Sequence, residues 1–273
     1  MQSKIILPTE NQLKPYIEYF WYMKSDLSES ADCTILPPET SFDMVFCLAD
    51  NPFWINQKHQ SFQLTDSFIT GMRQESYTMQ CQKPVEYLAV RFFPYGLYPF
   101  LGIPLSEIAE HPIFSLDLFP KNQFSSLNDQ FGNIPDLPTK IRVLEKELCL
   151  MLKQQSKTPS KIVNTSLAYI HNANGSLSIQ SLNQKLDIYS RRLEREFAKY
   201  IGIPPKTYSR VLRFNNILNY IQNNPSKTSW QDIVYKFGYF DQSHMIKDFI
   251  EFTGFSPEQY QAVLHSNSDV SHN

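Results

Sequence analysis

The C-terminal third of the chain nearly repeats itself, and no other feature limits its fold as much. Shifting the 273-residue sequence by 52 positions lays Leu193 on Met245, Arg195 on Lys247, Phe197 on Phe249, Gly202 on Gly254, Pro205 on Pro257 and Tyr208 on Tyr260. Each copy reads as an amphipathic helix with basic residues, ending in Phe, then Gly, then Pro, then a Tyr on the next helix. A shorter helical segment precedes each copy, Ile179–Leu186 and Trp230–Phe237. The turns between them, around Asp187 and Gly238, lie 51 residues apart, so the second copy has one extra residue between turn and helix. A short helix, a tight turn and a second helix make the helix-turn-helix plan. The turn needs a residue that tolerates the left-handed backbone region, which glycine does freely and aspartate moderately.

The second helix of such a unit is the one that enters a major groove. In the first copy it reads SRRLEREFAKY, Ser190 to Tyr200. Leu193 and Phe197 share one face at i, i+4 and should pack inward. Arg191, Arg195 and Lys199 recur at i, i+4, i+8 on another face, with Arg192 nearby. A row of arginines offers paired donors to guanine or phosphate. A solvated helix of Arg–Glu pairs is the plainer alternative, since Glu194 and Glu196 are interleaved. In the second copy, DQSHMIKDFIEF from Asp241 to Phe252, Met245 and Phe249 repeat the buried pair. Gln242, Ser243, His244, Ile246 and Lys247 then fall outward or near the groove. Asp241, Asp248 and Glu251 oppose a polyanion, so the first unit is expected to carry most of the affinity. Lys206–Asn223 reads as a long helix between the units. As a stiff rod it would set their separation, and successive faces of a major groove lie about 34 Å apart.

Charge divides the chain in the same way. Residues 1–156 hold 12 Lys/Arg and 18 Asp/Glu, whereas residues 157–264 hold 13 and 8. A basic half fits a polyanion partner and equally an ordinary solvated domain. Cys33, Cys47, Cys81 and Cys149 form no CxxC pair and read as buried free thiols of a reducing compartment. The first residues, MQSKIILPTE, are too polar for a signal peptide, and no apolar run approaches the ~20 residues of a membrane span. A cytoplasmic protein without membrane contact is expected.

The N-terminal half has another texture. Ile35–Leu36, Met44–Leu48, Phe68–Ile69 and Tyr87–Phe93 are short apolar runs broken by Pro, Asn and Asp, the pattern of strands. Arg91 stands alone inside the last of them. Tyr16–Met23 fits a strand or a buried helical turn. Two short helices follow, at Tyr95–Leu101 and Leu105–Glu110, then loop over residues 111–137. An amphipathic helix is predicted from Thr139, as its cap, to Gln155. Its stripe of Ile141, Leu144, Leu148 and Met151/Leu152 would dock on its own domain or on a second copy. The fold class is thus α+β. It comprises a β-rich sensing or dimerisation domain over 1–153, a linker over 154–160, a two-unit helical domain over 161–264 and a disordered tail over 265–273.

These residues resemble the AraC/XylS-type transcriptional regulators. The likeness rests on LDIYSRRLEREFAKYIGIPPKTY, on LRFNNIL, and above all on FGYFDQSHMIKDFIEFTGFSPEQY. The resemblance implies a monomeric two-unit domain binding double-stranded DNA, attached to a sensing or dimerising domain, with RNA polymerase as a further partner. By position it implies groove contacts at Arg191, Glu194 and Arg195, then at Gln242, Ser243, His244, Ile246 and Lys247. The sequence departs from the family where Asp187 replaces a turn glycine, Lys247 an arginine, and Ile250–Glu251 more basic residues. ILPPETSFDMVFCL, FITGMRQESYTM and YLAVRFFPYGLYPFLGIPLSEI also resemble a β-rich domain of uncertain function that precedes some such regulators. That likeness implies a small cupin-like barrel and no particular ligand.

No catalytic motif competes with this reading. The glycines at 71, 96, 102, 132, 175, 202, 238 and 254 are too far apart for GxGxxG or a P-loop. There is no GxSxG elbow, and the scattered histidines make neither HxH nor HExxH. No cofactor, metal or catalytic residue is expected. A small-molecule effector would find aromatic walls and polar anchors in Trp54, Arg73, Glu75, Tyr77 and Arg91; a surface Arg73–Glu75 pair among core aromatics is the plainer alternative. Two rival classes remain open: an enzyme with chemistry in the β domain, and a protein-interaction module. Converging ionisable groups in a pocket would favour the first, a neutral or acidic outer face on Ser190–Tyr200 the second.

Overall fold

The structure, a computed structural model, describes residues 2–25, 33–49, 53–57, 60–64, 67–81, 84–109, 113–115, 125–155, 160–224 and 229–262. The tail 265–273 and most of the expected linker lie outside these residues.

Among the described residues, ten strands form two antiparallel sheets. The first sheet orders β1 (Gln2–Ile6), β2 (Ile17–Ser25), β9 (Val85–Phe92), β4 (Phe42–Cys47), β7 (Phe68–Gly71) and β10 (Ile113–Ser115). The second orders β3 (Cys33–Leu36), β8 (Tyr77–Cys81), β5 (Phe53–Gln57) and β6 (Gln60–Leu64). The period-2 geometry of strands sorts the central residues onto two faces. Phe42, Met44 and Phe46 of β4, with Leu88, Val90 and Phe92 of β9, enter the main core on the helical side. Val45, Cys47, Tyr87 and Ala89 point the other way and meet Leu64 and Met79 of the second sheet. Both faces of these strands are therefore covered, which is why they read as continuous apolar runs. The ladders among the described residues leave two open sheets. The closed cupin-like barrel expected from the resemblance is not formed.

Of the run Tyr16–Met23, all but Tyr16 resolves as strand, because β2 has β1 on one side and β9 on the other. Helices α1 (Tyr98–Leu101) and α2 (Ser106–Ala109) follow β9. The stretch read as loop over 111–137 contains β10, which extends the β7 edge, and α3 (Ser125–Asn133). Only Leu127 and Phe131, an i, i+4 pair buried in the core, give α3 an apolar face. Asn, Asp and Gly around them mask it in sequence. Helix α4 (Leu137–Gln155) starts before Thr139: the Asp136 carboxylate accepts from the Thr139 N–H at 2.9 Å and is the cap. Its stripe of Ile141, Leu144, Leu148 and Met151 is buried within the chain's own core.

The remaining helices are α5 (Lys161–Asn172), α6 (Ile179–Leu186), α7 (Ser190–Tyr200), α8 (Pro205–Asn223), α9 (Trp230–Lys236), α10 (Gln242–Thr253) and α11 (257–262). Ser160, Ser178 and Ser229 cap α5, α6 and α9. The helices divide between two cores. Leu182, Leu193, Phe197 and Tyr208 join the core that also holds the first sheet and α4. Phe214, Ile233, Met245, Phe249 and Tyr260 form a separate one. The α5–α6 turn runs very close to α8. A Cβ on Gly175 would stand 2.3 Å from the Ser209 carbonyl oxygen and 2.9 Å from the Arg213 nitrogen, and its φ is +77°. Gly254 has φ +78° but open space around it. Gly175→Ala should thus cost both backbone strain and a forced backbone shift, about 3 kcal/mol or more, whereas Gly254→Ala costs about 1 kcal/mol of strain alone. Urea unfolding of the two variants checks the difference; equal losses would show that the close approach is absent.

Candidate nucleic-acid interface

The turn of each helix-turn-helix unit holds a residue forced into the left-handed region. Asp187 has φ 50°, ψ 50° and ends α6; Gly238 has φ 66° and stands between α9 and α10. The turn geometry expected of both positions is present, the aspartate bearing the strain that the glycine avoids.

Two residues set the rotation of each recognition helix. Leu193 and Phe197 of α7 are completely buried, as are Met245 and Phe249 of α10. With 3.6 residues per turn, burying one i, i+4 pair leaves the opposite face in solvent. Arg191, Arg192, Glu194 and Arg195 are all exposed on α7, and Gln242, Ser243, His244 and Lys247 on α10; Ile246 is half-buried at the edge. The outer face of α7 therefore carries three arginines against one glutamate. Glu196 is half-buried and accepts from the Ser160 hydroxyl at 2.5 Å, so it is not part of an alternating Arg–Glu surface. Lys199 lies at the far end of α7. Its ammonium sits 5.6 Å from the ring centre of Tyr98 and 5.0 Å from that of Tyr200, which ties it to α1.

The acidic residues of α10 do not oppose a polyanion in the manner their sequence implied. Asp248 is only 1% exposed. Its carboxylate accepts from Arg210 at 2.7 Å, Arg213 at 3.2 Å and the Tyr239 hydroxyl at 2.9 Å. Glu251 pairs with the same Arg210 at 2.7 Å. Donating to Glu251, and then to Asp248, holds the Arg210 guanidinium above its ordinary pKa. Asp241 caps α10 by accepting from the His244 N–H at 2.7 Å. The second unit thus spends its negative charge on α8 and on its own helix start.

The effector candidates fall into two places. Arg91 of β9 lies directly across from Asp43 of β4, with its guanidinium on Asp43 at 3.3 Å and also on Glu39. Arg73 is buried and donates to the Pro37 carbonyl at 3.0 Å, so it is no surface partner of Glu75. Tyr77 is buried on the face of β8 that meets the first sheet, and its hydroxyl is pushed up to about 12 by burial. Glu75 acts electrostatically on Tyr77. Trp54 pairs with Gln80 on the other face of β8, the outside of the sandwich, and does not join this group. The sequence signal for Asp43 is a lone carboxylate in FDMVFC, the counterpart of the lone Arg91 in VEYLAVRF, which only strand register joins. Among the described residues, no group of His, Cys, Asp and Glu is arranged to hold a metal.

The fold and the exposed helix faces define a helix-turn-helix protein, and comparisons of sequence agree. A helix-turn-helix domain profile matches residues 182–262, and that of a domain of unknown function (DUF6597) matches residues 5–114. No curated protein matches the chain. Among solved structures, ToxT from Vibrio cholerae aligns with a TM-score of 0.47 at 9% identity, covering 88% of this chain and 97% of that one. Unsaturated-fatty-acid-bound ToxT from strain SCE256 aligns at 0.46 and 10% identity, covering 89% and 94%. The AraC-like transcriptional activator CuxR aligns at 0.28 and 15% identity, covering 80% and 86%. Residues 182–262 are an AraC-type helix-turn-helix domain, behind a DUF6597 domain. The chain is a DNA-binding transcriptional regulator. No helix among the described residues is long and apolar enough to cross a membrane.

The buried ion pair makes a pH prediction. Burial raises the Asp43 carboxyl from an ordinary 3.8 to about 6, against the pull of Arg91 and Arg73. The folded chain then holds this proton more tightly than the unfolded one. The Asp43 contribution to stability is therefore full below about pH 4 and declines as pH rises to about 6, by at most about 3 kcal/mol. Asp43→Asn should gain stability relative to the natural chain between about pH 4 and about pH 7 in urea unfolding. A stability difference that stays flat over that range would contradict the titration.

Proposed function

We propose that this regulator reads duplex DNA by laying α7 and α10 in two major-groove segments. The supporting observation is the shared rotation of the two helices: each buries one i, i+4 pair and leaves its polar face in solvent. On α7, Arg191 and Arg195 donate to guanine edges, Arg192 to phosphate, and Glu194 accepts from a cytosine amino group. On α10, Gln242 pairs with adenine, Ser243, His244 and Lys247 hold backbone and base edges, and Ile246 fills the apolar margin. With Asp248 neutralised internally, the second unit contributes to affinity, but α7 with its three arginines contributes more. Lys199 serves the contact with α1 and not the groove.

The N-terminal domain modulates this binding, through an effector or a second copy of the chain. What favours such coupling is the way α7 ends. Its Lys199 carbonyl accepts from the Leu105 N–H at 2.9 Å, and the rings of Tyr98 and Tyr200 lie 4.5 Å apart. A change in the first sheet or α1 has a direct route to the recognition helix. Arg73, Glu75, Tyr77 and Arg91 are the groups that an effector entering the sandwich would meet.

Fragments of the host genome enriched by the full chain supply the test duplex. Arg195→Ala should weaken binding to it by about 1–3 kcal/mol in fluorescence anisotropy, roughly 5- to 150-fold. Equal affinity would remove Arg195 from the readout.

A further inference from the structure

Two of the most exposed large apolar side chains in the molecule occupy equivalent places in the two units. Tyr189 is 88% exposed and Phe240 is 92% exposed. They are 51 residues apart, the same interval that separates the turn residues Asp187 and Gly238. In each unit the order is a left-handed residue, an apolar residue turned inward, an exposed aromatic, then the recognition helix. Ile188 and Tyr239 are the inward residues, half-buried and buried.

Neither aromatic is explained by the fold. Their rings are almost entirely in water, so they add little to either core. Tyr189 is also the N-cap of α7 and makes no side-chain cap hydrogen bond, at a position where Ser, Thr, Asp or Asn would satisfy a free N–H. It is locally unfavourable on both counts. Phe240 precedes Asp241, which takes over the capping in the second unit.

Their position gives them a use. Residues at the N-terminal end of a recognition helix come nearest the base edges. The exposed Arg191 and Arg192 follow one aromatic closely in sequence, and the exposed Gln242 and Ser243 the other, which makes the surroundings suited to a duplex. The feature of the major groove that an aromatic ring meets favourably is the thymine 5-methyl group, which also separates A·T from T·A. We infer that Tyr189 and Phe240 are a matched pair of apolar readers, each pressing on a thymine methyl where its recognition helix enters the groove. This inference rests on α7 and α10 being the reading helices. It adds a base preference at positions outside both helices. Tyr235, 91% exposed on α9, provides an internal control, since its equivalent 51 residues earlier is the polar Gln184.

The experiment uses the full chain and a duplex enriched by it from a randomised pool. Thymines are replaced one at a time by deoxyuridine, which removes only the methyl. The natural chain should lose about 3- to 10-fold in affinity at one position under each unit. Tyr189→Ser should abolish the first penalty and Phe240→Ser the second. Tyr235→Ser should leave both. Tyr189→Ser supplies a capping hydroxyl, so its melting temperature should hold or rise, which separates loss of contact from loss of fold. Undiminished deoxyuridine penalties in the serine variants would overturn the inference alone. Failure of the natural chain to enrich any duplex would overturn the DNA reading with it.

Discussion

Everything the C-terminal region presents to solvent depends on two buried side-chain pairs, Leu193 with Phe197 and Met245 with Phe249. A helix of three turns has one rotational freedom once its axis is placed, and an i, i+4 apolar pair removes it. Phe197 packs edge-on to Tyr208, and Phe249 to Phe214 and Trp230, so each pair is locked to the helix behind it. Arg191, Arg195, Gln242 and Lys247 point outward because these residues point inward. The polar faces are consequences of the core.

The two units are anchored to different neighbours. The first shares a core with the β domain, and its recognition helix ends on a hydrogen bond from Leu105. A Cβ at Gly202 would stand 2.8 Å from the Leu105 carbonyl oxygen, which shows how close that junction is. The second packs on the far half of α8 and is fastened by Asp248 to Arg210 and Arg213. The β domain reaches it through the Ser76 N–H, which donates to the Phe252 carbonyl at 2.7 Å. A rearrangement of the β sandwich therefore bears most directly on α7, the more basic reader.

The helical region was legible because its information is local. Apolar pairs at i, i+4, a turn residue, then Gly and Pro lie within about 20 residues of one another, and the repeat prints them twice. The boundaries of α7 follow the sequence reading for that reason. In sequence Asp248 reads as a charge facing a polyanion, because its partners Arg210 and Arg213 are 38 and 35 residues away on another helix. The sandwich was only partly legible for the same cause. Asp43 and Arg91 were both anomalous in apolar strands, but strand register joins them across 48 residues, and nothing local announces a register. Trp54 suits the effector group by composition but not by strand alternation, one residue deciding which face it occupies.

Hydroxyl-radical cleavage of a duplex enriched by the full chain tests the central claim most directly. Two readers held by a single connecting helix should protect two patches on one face of the duplex, centred about 10 base pairs apart. Protection confined to one patch, or two patches on opposite faces, would contradict paired reading by α7 and α10.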